Sequence, residues 1–219
     1  MDSVSETSIT RSAMTSPKAA AIAGIIFSLL MITSLILIAI SVPSQPERAG
    51  GWLAHGAETV KLALNLVPFA GIAFLWFIGV VRDRLGQRED KLFATVFLGS
   101  GLLFLVMMFI SSALAGSLIL MYGSDPATFI GSPVYAWGRL NTYHVTQVYT
   151  MRMAGLFMIS TSTIALRTGI LPRWISFLGY ACALTLLVGG GFGSGILLVF
   201  PGWIFLVSVL ILRSNLARH

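Results

Sequence analysis

Charge is scarce in this chain, in which Asp, Glu, Lys and Arg make up 10% and hydrophobic residues 56% of 219 residues. A soluble domain carries roughly a quarter charged residues, so this composition excludes an ordinary soluble protein. It indicates a protein whose main partner is the lipid bilayer. The basic residues outnumber the acidic ones, 14 to 8. Because most of them lie in short connections between apolar runs, they predict membrane orientation and no nucleic-acid binding.

Cysteine is nearly absent as well, since Cys182 is the only one. An internal disulfide and a cysteine-rich metal cluster are therefore both excluded. Cys182 lies within an apolar run, where it is interpreted as a small packing residue. The sequence also shows neither a Ser/His/Asp arrangement nor paired carboxylates, so it does not indicate a hydrolase.

Long apolar runs are the main positive feature of the sequence. Crossing an apolar core about 30 Å thick takes roughly 20 residues at 1.5 Å each. Six runs approach or exceed this length, near residues 19–42, 59–81, 92–121, 147–166, 174–189 and 195–212. We therefore expect an all-α, polytopic transmembrane bundle of six spans. It occupies residues 18–213, between a disordered cytoplasmic lead at 1–17 and a short cytoplasmic tail at 214–219.

The distribution of basic residues predicts the orientation of this bundle. With the N-terminus in the cytoplasm, ten basic residues fall on the cytoplasmic side. The other four are Arg48, Lys61, Arg139 and Arg152. Cytoplasmic connections carry an excess of Lys and Arg, so both termini are predicted to be cytoplasmic.

Small residues recur every four positions in the first run, at Ala20, Gly24 and Ser28. Small residues at this spacing allow two helix backbones to approach closely. The face is predicted to pack against a neighbouring span. A homo-oligomer contact through the same face is the alternative.

The connection before the fourth run carries two predicted helix starts, Asp125-Pro126 and Ser132-Pro133. In each, a capping side chain precedes a proline at the first helical position. Gly138 then predicts a break between the second of these helices and the fourth span.

Several segments resemble a known group of proteins. The loop LRTGILPRW, its continuation ISFLGY and the earlier FLWFIGVVRDRLGQREDKLFATVFLGSG are similar to bacterial integral membrane proteins of about this length and about six spans, which have no assigned activity. The resemblance rests on loops and spans, not on a catalytic motif. It implies a location in the bacterial inner (cytoplasmic) membrane and transfers no functional residue.

Arg152 is the most unusual residue in the apolar runs. At 1.5 Å per residue it lies about 22 Å along its helix from Arg167, inside the hydrocarbon. A guanidinium there costs about 3 kcal/mol or more and normally has a partner. Glu58, near the start of the second run, is the acidic residue predicted to pair with it.

The polar residues of the fourth run also suggest a site. Asn141, His144 and Arg152 share one helix face, which is predicted to meet a second-run face carrying Glu58 and Lys61. Together these faces predict an outward-facing polar pocket between the second and fourth helices. Its candidate residues are Arg152, His144, Asn141, Tyr143, Glu58, Lys61 and Asn65.

Three functions remain open for this region. The pocket could bind or transport a small anionic solute or ion, because cations outnumber Glu58 there. Alternatively, the chain is a structural or accessory membrane subunit with a buried Arg152–Glu58 clasp and no ligand. In the third interpretation His55 and His144 bind haem, or bind a metal together with Glu58. No other cofactor is predicted.

Overall fold

The computed structural model describes residues 17–42, 50–85, 91–169, 171–189 and 194–216. Nearly all of the predicted N-terminal lead and the end of the predicted tail lie outside these residues. The described residues form helices and short connections and contain no strand. This confirms the all-α class.

The helices follow the predicted apolar runs, with additional short helices between them. In chain order they are α1 (Pro17–Ser41), α2 (Gly51–His55), α3 (Ala57–Leu85), α4 (Lys91–Ser124), α5 (Pro126–Phe129), α6 (Pro133–His144), a π-helical segment (Val145–Thr150), α7 (Met151–Thr168), α8 (Arg173–Val188), a 3₁₀ turn (Ser194–Leu198) and α9 (Val199–Leu216). We call the end of the bundle that carries α2 and α5 the α5 end, and the opposite end the Arg167 end.

Among the described residues, four helical segments are long and apolar enough to cross a membrane. They are Lys18–Ser41, Ala57–Arg82, Ala94–Ser124 and Gly195–Arg213. The length and composition of these segments therefore indicate a membrane-embedded protein. α8 is apolar but shorter, at 16 residues. α7 has an arginine near each end, Arg152 and Arg167, which lowers its apolar character.

Neighbouring helices pack in chain order around the bundle: α1 against α3, α3 against α4, α4 against α7 and α7 against α8. α9 packs against α1 and closes the ring. The Ser34 hydroxyl of α1 donates to the Ala63 carbonyl of α3 at 2.9 Å, while Gly24, earlier in α1, packs against Phe77, later in α3. These contacts make α1 and α3 antiparallel. The same reversed order links α4 to α6 and α7, and α7 to α8.

The centre of the bundle is a phenylalanine cluster. It consists of Phe27, Phe74, Phe104, Phe157 and Phe200, from α1, α3, α4, α7 and α9. Ring centroids of Phe27 and Phe74, and of Phe104 and Phe200, are 4.6 Å apart. Aromatic rings at such distances add to the packing energy of the core. The cluster therefore ties five helices together at one level.

The small-residue face of α1 packs inside the chain, as predicted. A Cβ atom on Gly24 would overlap the Ser208 hydroxyl of α9, and Ser28 is fully buried, with its hydroxyl donating to the Gly24 carbonyl at 2.8 Å. Ala20 is 3% exposed. A homo-oligomer through this face would need these residues at the surface, whereas α3 and α9 already cover them.

Both predicted helix starts are present. The Asp125 carboxylate accepts from the Thr128 amide at 3.4 Å, and the Ser132 hydroxyl accepts from the Tyr135 amide at 3.2 Å. The Thr128 hydroxyl also donates to Asp125, which holds the pKa of that carboxyl below its usual value of 3.8. The predicted break at Gly138 is wrong, because α6 continues through it. Glycine there admits Leu118, whose Cδ2 would lie 2.6 Å from an added Cβ.

Candidate functional site: a cavity with one polar wall

A cavity of about 450 Å³ lies in the half of the bundle nearer the α5 end. Its walls are formed by α1, α3, α4, α6, the π-helical segment and the start of α7, with α9 at its base. The volume falls within the range of about 300–1,000 Å³ that is typical of small-molecule sites. The cavity is therefore large enough for a ligand.

The deep part of the cavity is apolar. Its base is formed by Met31, Phe104, Met108, Met151 and Phe200, all of them 7% exposed or less. Two of these, Phe104 and Phe200, belong to the phenylalanine cluster. The cluster therefore closes the cavity toward the Arg167 end.

One wall is polar and runs along a single helical stripe of α6 and the π-helical segment. The stripe carries Arg139, Thr142, Tyr143, Thr146, Gln147 and Thr150. Ser111 and Ser112 of α4 and Ser34 of α1 face the same space. Arg139 is the only charged residue among the described residues that line the cavity. A mostly apolar cavity with a few convergent polar groups is the usual form of a ligand site.

The threonine hydroxyls of this stripe donate to their own helix. Thr142 donates to the Gly138 carbonyl at 2.8 Å, Thr146 to the Thr142 carbonyl at 2.8 Å and Thr150 to the Val145 carbonyl at 2.9 Å. Such bonds use the hydroxyl proton and leave the oxygen able only to accept further hydrogen bonds. In the described part of the chain, the side chains of Tyr143 and Gln147 have no hydrogen-bond partner. Their donors are available to a ligand.

Arg139 is held in place at the α5 end of the cavity. Its Nη1 donates to the Tyr135 hydroxyl at 3.0 Å, and the same hydroxyl accepts from Trp52 Nε1 at 3.3 Å. Tyr135 also packs edge-on against Phe129, with centroids 5.6 Å apart. Because Tyr135 and Trp52 are 6% and 8% exposed, the guanidinium is anchored by a buried network.

The π-helical segment lies at the middle of the polar wall. The Thr150 hydroxyl reaches back five residues to Val145, and the Thr146 hydroxyl is hydrogen-bonded to Ser111 of α4. π-helical turns within α-helices occur frequently at functional sites. Here the segment presents Thr146, Gln147 and Thr150 to the cavity and is clamped to α4.

Most of the predicted site residues lie elsewhere. Tyr143 lines the cavity, whereas Arg152 and His144 are exposed and do not line it. Asn141 donates to the Trp137 carbonyl at 2.8 Å and does not line the cavity. Of the four predicted residues on α6 and α7, Tyr143 alone lines the cavity.

The predicted buried clasp between Arg152 and Glu58 is not formed. Glu58 is paired with Lys61 at 2.6 Å, and their side chains are 85% and 46% exposed. Among the described residues, Arg152 makes no hydrogen bond or ion pair. Arg152 is exposed as well, so neither side chain turns into the bundle.

The predicted second-run face also points elsewhere. Lys61 and Asn65 line a separate, open groove between α3 and α4. α3 does reach the cavity, but through Val60, Leu64 and Val67. The second and fourth runs therefore both border the cavity, with polar residues supplied only by the fourth.

The candidate metal or haem ligands are at the surface. His55 is exposed, with Nδ1 3.2 Å from the Gly51 carbonyl oxygen. The ring of His144 lies 6.1 Å from that of Tyr143. Within the described ranges, no three His, Cys, Asp or Glu side chains come together where they could hold a metal.

Sequence reasoning missed the threonines and serines of the polar wall. Thr142, Thr146 and Thr150 recur every four residues, which places them on one helix face. This spacing was the available signal.

No protein-family model, curated protein or solved structure matches the chain.

Proposed function

We propose that this chain is a six-span membrane protein that binds a small molecule with an apolar body and an anionic group. The observation that carries the proposal is the cavity itself, which is apolar in depth and has Arg139 near the α5 end. The anionic group lies against Arg139, Tyr143 and Gln147, and the apolar body lies against the methionines and phenylalanines below.

The six-span topology is supported by the alternating direction of the helices. α7 and α8 continue the antiparallel order that the four long apolar segments establish. Exposed basic residues at the Arg167 end include Arg82, Arg167, Arg173 and Arg213. Basic residues favour the cytoplasmic side, so both termini are assigned to the cytoplasm and the cavity to the outer half. In the bacterial inner membrane, that half faces the periplasm.

An anion fits this cavity better than a cation. No acidic residue is among the described residues that line it, and Arg139 supplies a positive charge. Tyr143 and Gln147 add neutral donors on the same stripe. Hydrogen bonds between charged donors and anionic acceptors are about twice as strong as neutral ones.

Binding is favoured over conduction through the bundle. A permeant ion needs a polar or wet route, whereas the cavity ends on the phenylalanine cluster. Phe27, Phe74 and Phe157 are each fully buried. Transport would require these five helices to separate, so the resting state is a closed binding site.

The proposal can be tested with a thiol reporter inside the cavity. In a Cys182→Ala background, Thr146→Cys places the only thiol on the polar wall. We expect a neutral, water-soluble methanethiosulfonate to label it, and hexanoate to slow the labelling. Arg139→Gln should raise the hexanoate concentration needed by about tenfold, because it removes a charge-assisted contact.

A matched reporter gives the control. Ser117→Cys lies exposed on α4 and outside the cavity, so hexanoate should leave its labelling rate unchanged. Equal slowing at both positions would indicate a nonspecific effect. Unchanged labelling of Thr146→Cys at all hexanoate concentrations would overturn the proposal.

A further inference from the structure

Building on the proposed function, we infer that the ligand is a single-chain anionic amphiphile that enters from the bilayer through the gap between α1 and α6. Its anionic head lies at Arg139 and its alkyl chain runs down to the base of the cavity. The inference adds a ligand class and a route to the binding site described above.

The rim of the cavity between α1 and α6 is apolar apart from the Tyr143 hydroxyl and includes exposed side chains. On α1 it is formed by Ile38, Ala39 and Val42, and on α6 by Leu140 and Tyr143. Leu140 is 52% exposed and Tyr143 42%. A mouth for a water-borne solute would be expected to carry polar residues. This rim instead continues the lipid-facing surface of α1, on which Ile36 and Ile40 are 46% and 73% exposed.

The cavity is elongated along the helix that forms its polar wall. Lining residues extend from Arg139 to Ala154, a separation of 154 − 139 = 15 residues, or about 22 Å at 1.5 Å per residue. That length exceeds half of the roughly 30 Å apolar core of a bilayer. A space of this length can take one extended alkyl chain.

The lining changes from polar to apolar along this length. Arg139, Tyr143 and Gln147 are four residues apart and follow one another on the stripe. Below them, Met151 and Ala154 continue the same wall without hydrogen-bonding groups. Leu186, Leu197 and Phe200 complete the apolar base. The gradient matches a molecule with its polar group at one end only.

The head group must provide the selectivity. Moving an alkyl chain from lipid into an apolar cavity gains little, because lipid tails are as apolar as Leu side chains. The lipid tails in the middle of the bilayer offer an anionic head group no contact comparable to the charge-assisted contact with Arg139. The site therefore distinguishes anionic amphiphiles from neutral ones of equal chain length.

The experiment uses the full chain in phospholipid nanodiscs and a photoreactive hexadecanoic acid with a diazirine at mid-chain. We expect adducts on Met31, Met108 and Met151 at the base of the cavity, mapped by peptide mass spectrometry. Unlabelled hexadecanoate should compete at least about tenfold better than hexadecanol, as expected for one charge-assisted contact.

Two variants and one matched control sharpen the result. Ala154→Phe fills the base and should remove adducts there, whereas Ala181→Phe, at an exposed position of α8, should not. Leu140→Trp narrows the gap, so adducts should appear more slowly after mixing while their final yield is retained. If Ala154→Phe does not fold, the rate of adduct formation in Leu140→Trp still tests whether the ligand enters between α1 and α6.

The outcomes separate the two proposals. Adducts confined to exposed residues such as Leu103 and Leu184, or equal competition by hexadecanol, would overturn the inference. If hexanoate still protects Thr146→Cys in that case, the binding site stands and its ligand comes from water. If neither probe reaches the cavity, both proposals fail.

Discussion

At the scale of single residues, Arg152 shows how a conspicuous side chain can mislead. The cation was expected to turn inward and find a carboxylate, because burial in lipid is expensive. It lies exposed on α7, while the nearby cavity wall is made of threonines. An exposed arginine can extend its long side chain along the helix toward the headgroups, which reduces its cost. A threonine hydroxyl donates to a backbone carbonyl of its own helix, so the residue does not stand out in an apolar run of the sequence.

The first prediction concerns this pair. Arg152→Ala and Glu58→Ala should change the free energy of unfolding additively, with a coupling energy below about 0.5 kcal/mol, because the residues do not touch. A double-mutant cycle in mixed micelles measures the coupling directly.

The control for this cycle is the pair that the structure does form. Glu58 and Lys61 are 2.6 Å apart and exposed, so their coupling should be about 0.2–0.5 kcal/mol and should fall with added salt. A coupling of more than 1 kcal/mol between Arg152 and Glu58 would indicate that the buried clasp forms and would contradict the exposed positions of both side chains.

At the scale of elements, α1 is positioned by its small residues. Gly24 lets α1 approach α9 at Ser208, and a Cβ atom would also lie 3.0 Å from Phe77 Cδ2 on α3. Both α9 and α3 lie against Gly24, so even an added methyl group requires one of these helices to move.

We therefore predict that Gly24→Ala destabilises the protein by about 1–3 kcal/mol, the usual cost of overpacking. Gly99→Ala is the matched control, since nothing lies within 4 Å of an added Cβ there. It should leave stability unchanged or raise it by up to about 1 kcal/mol. Both values come from unfolding in mixed micelles. A neutral Gly24→Ala would mean that α1 and α9 are not in close contact.

Ser208→Ala provides a second check on this contact. The Ser208 hydroxyl is buried and has no hydrogen-bond partner in the described part of the chain. Its removal should cost little alone and should recover part of the stability lost in Gly24→Ala. Full additivity of the two substitutions would contradict the contact.

The helical elements were predictable from the sequence, and the site was predictable only in part. Apolar runs and capping pairs such as Ser132-Pro133 report directly on helices, because burial and orphan amides act locally. The orientation of Arg152 depends on which helices lie beside α7, and that order is a property of the whole bundle. The continuation of α6 through Gly138 likewise depends on Leu118 of another helix.

At the scale of the whole molecule, the alternating helices predict which ends face the same side. In a Cys182→Ala background, Ser124→Cys at the end of α4 should react with a membrane-impermeant maleimide on intact cells. Thr168→Cys at the end of α7 should react only after permeabilisation. Both positions are exposed, so access depends on the membrane alone. Labelling of both from the same side would contradict the six-span topology.

The bundle leaves a cavity of about 450 Å³ between its helices, and among the described residues that line it the charge lies at one end only. A cavity with polar groups in its wall is not expected to stay empty, because genuinely empty cavities are apolar, and it therefore holds water or a ligand. The central claim is therefore that a molecule with an anionic end occupies the space below Arg139.

The most direct test is a cryo-electron microscopy map of the protein extracted with its native lipids into nanodiscs. We expect continuous, elongated density that starts at Arg139, passes Tyr143 and Gln147, and ends near Met151. The density should disappear or shorten in Ala154→Phe. A cavity filled by rearranged side chains, or holding only isolated water-sized peaks, would contradict the account.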